Sequence, residues 1–175
     1  YTERSPFLHP DMKTLYFSSD GHGGLGNLDV YKTTRLSDSC WNCWSEPINL
    51  GKEFNTEKDD WGYIISTNGK TAYFSKEYGT KQTEGIFKVN LPSHLRPNAV
   101  TNIEGRLINS DNSPISANIR WEDLETNEII GSANTNPSDG SYFVILPSGK
   151  KYGYYIDHPD YFPISNNIDL RNINN

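Results

Sequence analysis

Cysteine, methionine and long apolar runs are scarce in this chain. It has two cysteines and one methionine, and no stretch approaches the roughly 18 consecutive apolar residues of a membrane-spanning helix. Basic clusters are absent as well, and the net charge is −6. Proteins that bind nucleic acids usually carry a clustered basic face, so we expect no nucleic-acid partner.

Aromatic and turn-forming residues are abundant instead. Aromatics make up 13% of the chain, with 11 tyrosines, and rings pack well on the half-buried surface of a strand. Fourteen glycines and ten prolines supply turns. The sequence therefore predicts an all-β fold of one large or two small domains. Because it begins at Tyr1 without a signal peptide, we expect it to be part of a longer polypeptide.

Two segments of the first half repeat the same order of strand, turn, strand, polar loop and strand. Leu15-Tyr16-Phe17 in the first copy corresponds to Ala72-Tyr73-Phe74 in the second. The segment 44–51 between the copies is predicted to form a fourth strand. Two similar units of four strands are typical of neighbouring blades of a β-propeller.

The first copy resembles the TolB-type β-propeller repeat, whose signature S-P-x-x-x-P-D-G-K-x-L-Y-F-S-S is followed by a glycine-rich loop and D-I-Y. The matching residues are Ser5, Pro6, Pro10, Asp11, Lys13, Leu15, Tyr16, Phe17, Ser18, Ser19, Gly23, Gly24, Gly26, Asp29, Val30 and Tyr31. Met12 stands where glycine is usual, and the second copy has Gly85 where aspartate is usual. The segments 44–51 and 54–56 resemble the version in OmpA-family envelope proteins of Bacteroidota-type bacteria.

Residues 102–175 follow a different pattern, with six or seven short strands between turn signals. They resemble the carboxypeptidase regulatory-like domain, a transthyretin-like β-sandwich. The matching residues are Gly105, Pro114, Ile115, Ala117, Gly140, Tyr142, Leu146, Pro147, Gly149 and Tyr152. Residues 93–101 are predicted to be a linker.

These resemblances imply residues 1–92 as the last two blades of a propeller, followed by the linker 93–101 and the sandwich 102–175. In PorE-like components of type IX secretion, a similar pair precedes an OmpA-like peptidoglycan-binding domain. The implied function is a non-catalytic scaffold in the periplasm, associated with the outer membrane. It would bind other envelope and secretion-machine proteins, and would reach peptidoglycan only through a domain outside this chain. The alternatives are a secreted carbohydrate-binding or adhesin module and an accessory part of a propeller-bearing peptidase.

Cys40-Trp41-Asn42-Cys43 is the constellation with the most chemical potential. A structural zinc site needs four ligands, and His22 and His94 do not have metal-ligand spacing. A thioredoxin-like centre opens a helix, whereas this motif lies in a polar loop. A local disulfide is the favoured interpretation and indicates an oxidising compartment. Reduced thiols, and metal or redox chemistry, remain as alternatives.

The other candidates favour structural roles. The glycine-rich loop 20–27 precedes a predicted strand, whereas a phosphate-binding loop leads into a helix. The carboxylates are expected to cap turns, with a calcium site as the alternative; they are Asp20, Asp29, Glu57, Asp59 and Asp60. Large rings usually pack in cores, but Trp41, flanked by the cysteines, is expected to be exposed and to contact a partner. No catalytic set stands out, and we expect no cofactor, no metal and no enzymatic activity.

Overall fold

The computed structural model describes residues 1–79 and 83–172, and the chain divides into two compact units between Ala99 and Val100. Strands make up 53% of the chain. The described residues form no α-helix, and their only helical element is a short 3₁₀ helix, η1 (Ser93–Leu95). The predicted all-β class is confirmed.

Residues 1–79 and 83–99 of the first unit form two antiparallel sheets. Its strands are β1 (Glu3–Leu8), β2 (Thr14–Ser19), β3 (Asp29–Thr34), β4 (Ile48–Asn49), β5 (Asp60–Ile65), β6 (Thr71–Tyr78) and β7 (Thr83–Asn90). The first sheet has the order β1-β2-β3-β4, and the second has the order β5-β6-β7. The predicted fourth strand, 44–51, is shorter than expected, because only Ile48–Asn49 pairs with β3.

Alternation along β2 gives the first sheet two distinct faces. Tyr16 is fully buried and packs against the second sheet, with its ring centroid 5.0 Å from that of Tyr63. Leu15 and Phe17 point to the opposite side and are only half-buried. We call the Tyr16 side the inner face and the Leu15 side the outer face. The core between the sheets consists mainly of rings and branched side chains: Tyr16, Val30, Leu50, Phe54, Tyr63, Ile65, Ala72, Phe74, Leu91 and Leu95.

A buried aspartate holds the turn between β1 and β2. The Asp11 carboxylate accepts hydrogen bonds from the backbone N–H groups of Lys13 (3.0 Å) and Thr14 (2.9 Å) and from the Thr14 hydroxyl (2.8 Å). His9 is fully buried in the same turn, with Nδ1 3.4 Å from the carboxylate. Met12, which stands where the repeat signature has glycine, adopts the left-handed conformation with φ of 59°. His9 therefore belongs to the hydrogen-bonded turn between β1 and β2.

The segment predicted as a linker, 93–101, differs from that prediction. Leu95 is buried in the core of the first unit, and its carbonyl accepts a hydrogen bond of 2.8 Å from the Tyr16 hydroxyl. The backbone N–H of Asn98 donates to Asp11 over 3.0 Å. Strand β8 already begins at Val100. Prolines and polar residues suggested a tether, but the leucine and these long-range hydrogen bonds attach the segment to the first unit.

The described residues of the second unit, 100–172, form six strands in two antiparallel sheets, neither of which closes into a barrel. The strands are β8 (Val100–Arg106), β9 (Asn118–Asp123), β10 (Glu128–Asn134), β11 (Ser141–Pro147), β12 (Lys151–His158) and β13 (Tyr161–Asp169). Their order is β10-β9-β12-β13 in one sheet and β11-β8 in the other. Trp121 and Tyr152, each 1% exposed, are central to the core. A Cβ at Gly105 would lie 2.5 Å from the Tyr142 ring, which explains the glycine at this strand position.

Candidate interaction surface

Cys40 and Cys43 belong to a hairpin, residues 36–43, which we call the cysteine hairpin. Its base is formed by the bridge between Arg35 and Trp44 and by the hydrogen bond from Leu36 N–H to the Cys43 carbonyl (2.8 Å). The two sulfur atoms are within bonding distance, and the Cα atoms are 5.4 Å apart. The structure therefore joins the two cysteines in a local disulfide.

Trp41 projects from this hairpin and is the most exposed of the four tryptophans. It is 55% exposed, whereas Trp44 and Trp61 are half-buried and Trp121 is buried. The indole N–H of Trp44 donates to the Trp41 carbonyl over 2.7 Å, which fixes the backbone beneath the exposed ring. The ring is thus presented to solvent on a restrained backbone.

Arg35 supports Trp41 from below. The guanidinium carbon lies 4.1 Å from the Trp41 ring centroid, within the range of a cation–π interaction. The Arg35 side chain is only 6% exposed, and its Nη2 lies 3.5 Å from the Asp38 carboxylate. Its Nε has no hydrogen-bond partner among residues 1–79 and 83–172. Burial of a cation costs free energy unless other groups compensate the charge, so the Trp41 ring and the Asp38 carboxylate stabilise the buried Arg35 guanidinium.

An apolar groove lies on the outer face of the first sheet, beside this hairpin. Its volume is about 390 Å³. It is lined mainly by apolar side chains, with Glu3 and Arg4 also contributing. The apolar lining residues are Pro6, Leu15, Phe17, Trp44 and Pro47. Trp44 contacts both features, since it lines the groove and holds the backbone of Trp41.

The glycine-rich loop is fixed by a buried aspartate. Asp29 is 1% exposed, and its Oδ2 accepts hydrogen bonds from the N–H groups of Leu25 (2.7 Å) and Gly26 (3.3 Å). The Tyr31 hydroxyl donates to the Gly23 carbonyl over 2.8 Å. The loop thus leads into strand β3 and not into a helix, and the N–H groups of Leu25 and Gly26 are engaged by Asp29.

Two of the remaining carboxylates lie in capping positions. The Oδ1 atom of Asp59 is buried and has no hydrogen-bond partner among the described residues, and Glu57 is exposed. Asp60 accepts hydrogen bonds from the backbone N–H and hydroxyl of Thr56, and Asp20 accepts one from the backbone N–H of Thr2. Burial raises the pKa of the Asp60 carboxyl, and the nearby charge of Asp29 adds to this. In the described part of the chain, no three histidine, cysteine, aspartate or glutamate side chains form a group that could hold a metal.

A shallow depression of about 650 Å³ with a mixed lining lies on the second unit. Phe143 is 52% exposed at its surface. The polar lining comprises Glu104, Arg106, Asn134, Asn136 and Ser141. An exposed ring beside carboxylate, guanidinium and amide groups suits a polar ligand with apolar patches.

Sequence reasoning identified the cysteine hairpin but not its surroundings. Cys40, Trp41 and Cys43 come together as one exposed element. The contact of Arg35 with Trp41 and the apolar groove were not predicted, because both depend on which strands pair and in which register. The available signal was the apolar run Leu15-Tyr16-Phe17, because successive residues of a strand point to opposite faces and such a run therefore places apolar side chains on both.

No protein-family model matches this chain, and comparison with curated proteins and with solved structures gives no match. The described residues contain no helix long and apolar enough to cross a membrane.

Proposed function

We propose that this chain is a non-catalytic, protein-binding scaffold segment of a periplasmic cell-envelope protein. The observation that carries the proposal is the exposed Trp41 ring, held by a disulfide hairpin beside an apolar groove. Restrained, exposed tryptophans next to apolar pockets are common anchors of protein interfaces, and such anchors contribute disproportionately to affinity. The cysteine hairpin, residues 36–43, supplies the anchor.

The first unit is proposed to be two neighbouring propeller blades. The inner face of the first sheet packs against the side of the second sheet that carries Phe74 and Ala72. In the repeat, Phe74 and Ala72 correspond to Phe17 and Leu15 of the outer face. The inner face of the first sheet therefore packs against the face of the second sheet that is equivalent to the outer face. Successive propeller blades stack in this head-to-tail way, so the packing supports the propeller interpretation.

The second unit is proposed to be a regulatory-like, transthyretin-like sandwich. Its two antiparallel sheets share a core built around Trp121, Tyr152 and Leu146, which is compatible with a small sandwich. Gly105 and Tyr142, two residues of the resembled motif, are in contact in this core. The contact explains why a glycine lies opposite a tyrosine, because a side chain at position 105 would collide with the Tyr142 ring.

The proposed location is the periplasm, in association with the outer membrane. A disulfide between Cys40 and Cys43 supports an oxidising compartment. The resemblance to PorE-like proteins supports a role in type IX secretion, with other envelope proteins as partners. Any peptidoglycan contact is assigned to an OmpA-like domain outside this chain.

Recovery of envelope proteins by the natively exported chain tests the scaffold proposal. We expect Trp41→Ala to reduce recovery, because the exposed ring is the anchor. Phe162→Ala is the matched control, since Phe162 is a 94% exposed ring in the second unit. Equal recovery with both variants, or turnover of any peptide or glycan by the chain, would contradict the proposal.

A carbohydrate-binding module is the second candidate, and the depression around Phe143 is the observation that favours it. In that case Phe143→Ala should abolish binding to a glycan, whereas Trp41→Ala should leave it unchanged. Sedimentation with purified peptidoglycan is the first assay. The scaffold proposal predicts little retention of residues 1–175.

A further inference from the structure

The two arms of the cysteine hairpin are joined by few interactions other than the disulfide. One backbone hydrogen bond crosses the hairpin at its base, from Leu36 N–H to the Cys43 carbonyl (2.8 Å). A second one within residues 36–43, from Cys40 N–H to the Ser37 carbonyl (3.3 Å), belongs to a local turn. Among the residues that the structure describes, the bond between Cys40 and Cys43 is therefore the main constraint that closes the loop beyond its base.

Trp41 is held in place through this loop. Its ring lies 4.1 Å from the Arg35 guanidinium carbon, and the Trp44 indole N–H donates to its carbonyl. The Asp38 carboxylate adds contacts with Arg35 (3.5 Å) and Lys13 (3.3 Å), but the Asp38 side chain is 70% exposed. Ion pairs at such exposed positions contribute little free energy. The contact of Trp41 with Arg35 thus depends largely on the closed loop.

Breaking the disulfide would release the hairpin without unfolding the first unit. The bond closes a loop of only four residues, 40–43, and short loops restrict the unfolded chain less than long ones. None of residues 36–43 belongs to the hydrophobic core between the two sheets. We therefore expect the sheets to remain folded when the bond is reduced.

The two cysteines differ in exposure. Cys43 is exposed, whereas Cys40 is half-buried. A thiolate reduces a disulfide by attacking one of its sulfur atoms, so the rate depends on access, and exposed disulfides are the labile and regulatory ones. The motif lies in a hairpin and does not open a helix, as a thioredoxin-like catalytic centre does. It is therefore suited to be a substrate of thiol–disulfide exchange rather than its catalyst.

We propose that the cysteine hairpin is a reversible redox switch, which a dithiol protein of the same compartment reduces through Cys43. A thiolate of the dithiol protein attacks Cys43 Sγ, a mixed disulfide forms, and Cys40 leaves as a thiolate. The second thiol of the dithiol protein then attacks its own neighbour in the mixed disulfide and releases Cys43 as a thiolate. The dithiol protein is oxidised to a disulfide, the hairpin gains two electrons, and the two protons of the dithiol pass through solvent to Cys40 and Cys43.

The switch controls the presentation of Trp41. The oxidised hairpin holds the ring on Arg35, and the reduced hairpin releases it. Partner binding therefore belongs to the oxidised state, because an unrestrained side chain loses more conformational freedom on binding. This consequence for binding rests on the proposed scaffold function, whereas the exchange at Cys43 and the release of the loop do not.

Trapping of the mixed disulfide tests the site of exchange. The probe is a purified thioredoxin whose second active-site cysteine is replaced by serine, so that it cannot complete the reduction. It is mixed with the folded, oxidised chain, the reaction is stopped with a maleimide that blocks the released thiol, and the linked peptides are identified by mass spectrometry. We expect thioredoxin on Cys43 and maleimide on Cys40. The reverse assignment, or an adduct that forms only with the denatured chain, would overturn the proposal.

Amide hydrogen exchange of the oxidised and the fully reduced chain tests the release of the loop. The amide of Leu36 should exchange about tenfold faster after reduction, because its acceptor, the Cys43 carbonyl, is no longer held in place. The amide of Val30 is the internal control, since it donates to Asn55 Oδ1 within the first sheet. Equal exchange of Leu36 in both states would contradict the switch, and so would loss of protection at Val30, which would mean that reduction unfolds the unit.

A double variant, Cys40→Ser with Cys43→Ser, tests the consequence for binding. Its recovery of envelope proteins should fall to the level of Trp41→Ala, while Val30 keeps its protection. Recovery equal to that of the wild-type protein, with Trp41→Ala still impaired, would overturn the switch and leave the scaffold function intact. If Trp41→Ala itself recovers partners normally, the scaffold function fails, and the adduct at Cys43 and the exchange rate of Leu36 are unaffected.

Discussion

The Arg35 guanidinium carbon lies 4.1 Å from the centroid of the Trp41 ring, across the base of the cysteine hairpin. The Arg35 side chain is nearly buried, whereas the Trp41 ring is more than half exposed. One face of the ring therefore compensates a buried cation, and the remainder is available to a partner. The geometry couples the stability of the hairpin to the presentation of the proposed anchor.

Truncation of Arg35 should destabilise the first unit. We expect Arg35→Ala to lower the free energy of unfolding by about 1–3 kcal/mol, because it removes buried methylenes and the ring contact. Arg35→Met is the matched control and should cost less, since it keeps most of the packing without a buried charge. Urea unfolding followed by tryptophan fluorescence measures both. An unchanged midpoint for Arg35→Ala would show that the contact has no energetic role.

Cys40 and Cys43 should be oxidised to each other in the natively exported protein. The hairpin holds their Cα atoms 5.4 Å apart, and the sequence contains no other cysteine. Thiol labelling under non-reducing, denaturing conditions should detect no free thiol, and labelling after reduction should detect two. Free thiols before reduction would contradict both the bond and the argument for an oxidising compartment.

The stability of the first unit should decrease in acid through Asp11. Burial raises the pKa of this carboxyl, but its hydrogen bonds with His9, Lys13 and Thr14 outweigh that effect and hold the pKa well below the usual 3.8. A depressed pKa in the folded state adds stability above the unfolded value, and this stability is lost as the pH falls below about 4. Asp11→Asn should therefore lower the free energy of unfolding at pH 7 by about 1.5–3 kcal/mol. It should also reduce the dependence of that free energy on pH in acid.

Unfolding curves recorded between pH 2 and pH 7 would measure how steeply the free energy of unfolding depends on pH. Glu57→Gln, at an exposed position outside the turn, is the control and should leave it unchanged. If Asp11→Asn keeps the pH dependence of the wild-type protein, another carboxyl is responsible for the loss of stability in acid.

Fragments should reveal the role of residues 93–99. A fragment of residues 1–99 should be more stable than one of residues 1–92, because the shorter one lacks Leu95 and the hydrogen bond from Tyr16. A fragment of residues 100–175 should unfold cooperatively, since it contains both sheets of the second unit. Equal stability of the two first-unit fragments would restore the original prediction of a linker.

The strands of this chain were predictable because alternation and turn signals are local. Leu15-Tyr16-Phe17 is a short apolar run that indicates a strand, and Asp11 indicates the turn before it. The role of Leu95 was not predictable in this way. A single leucine between prolines has no periodicity, and its burial depends on a partner 79 positions earlier, Tyr16.

The candidate site was predicted only in part for the same reason. Two cysteines flanking a tryptophan in a polar loop indicated a local disulfide and an exposed ring. The support from Arg35 requires the cross-strand register that brings it opposite Trp44, which no local pattern specifies.

Site-specific photo-crosslinking in the natively exported polypeptide tests the central claim most directly. A photoreactive aromatic residue in place of Trp41 should form a covalent adduct with another envelope protein, and the same residue in place of Phe162 should not. An adduct confined to position 41 is the result that the scaffold interpretation predicts. Absence of any protein adduct at position 41, with the polypeptide correctly exported and its disulfide formed, would contradict it.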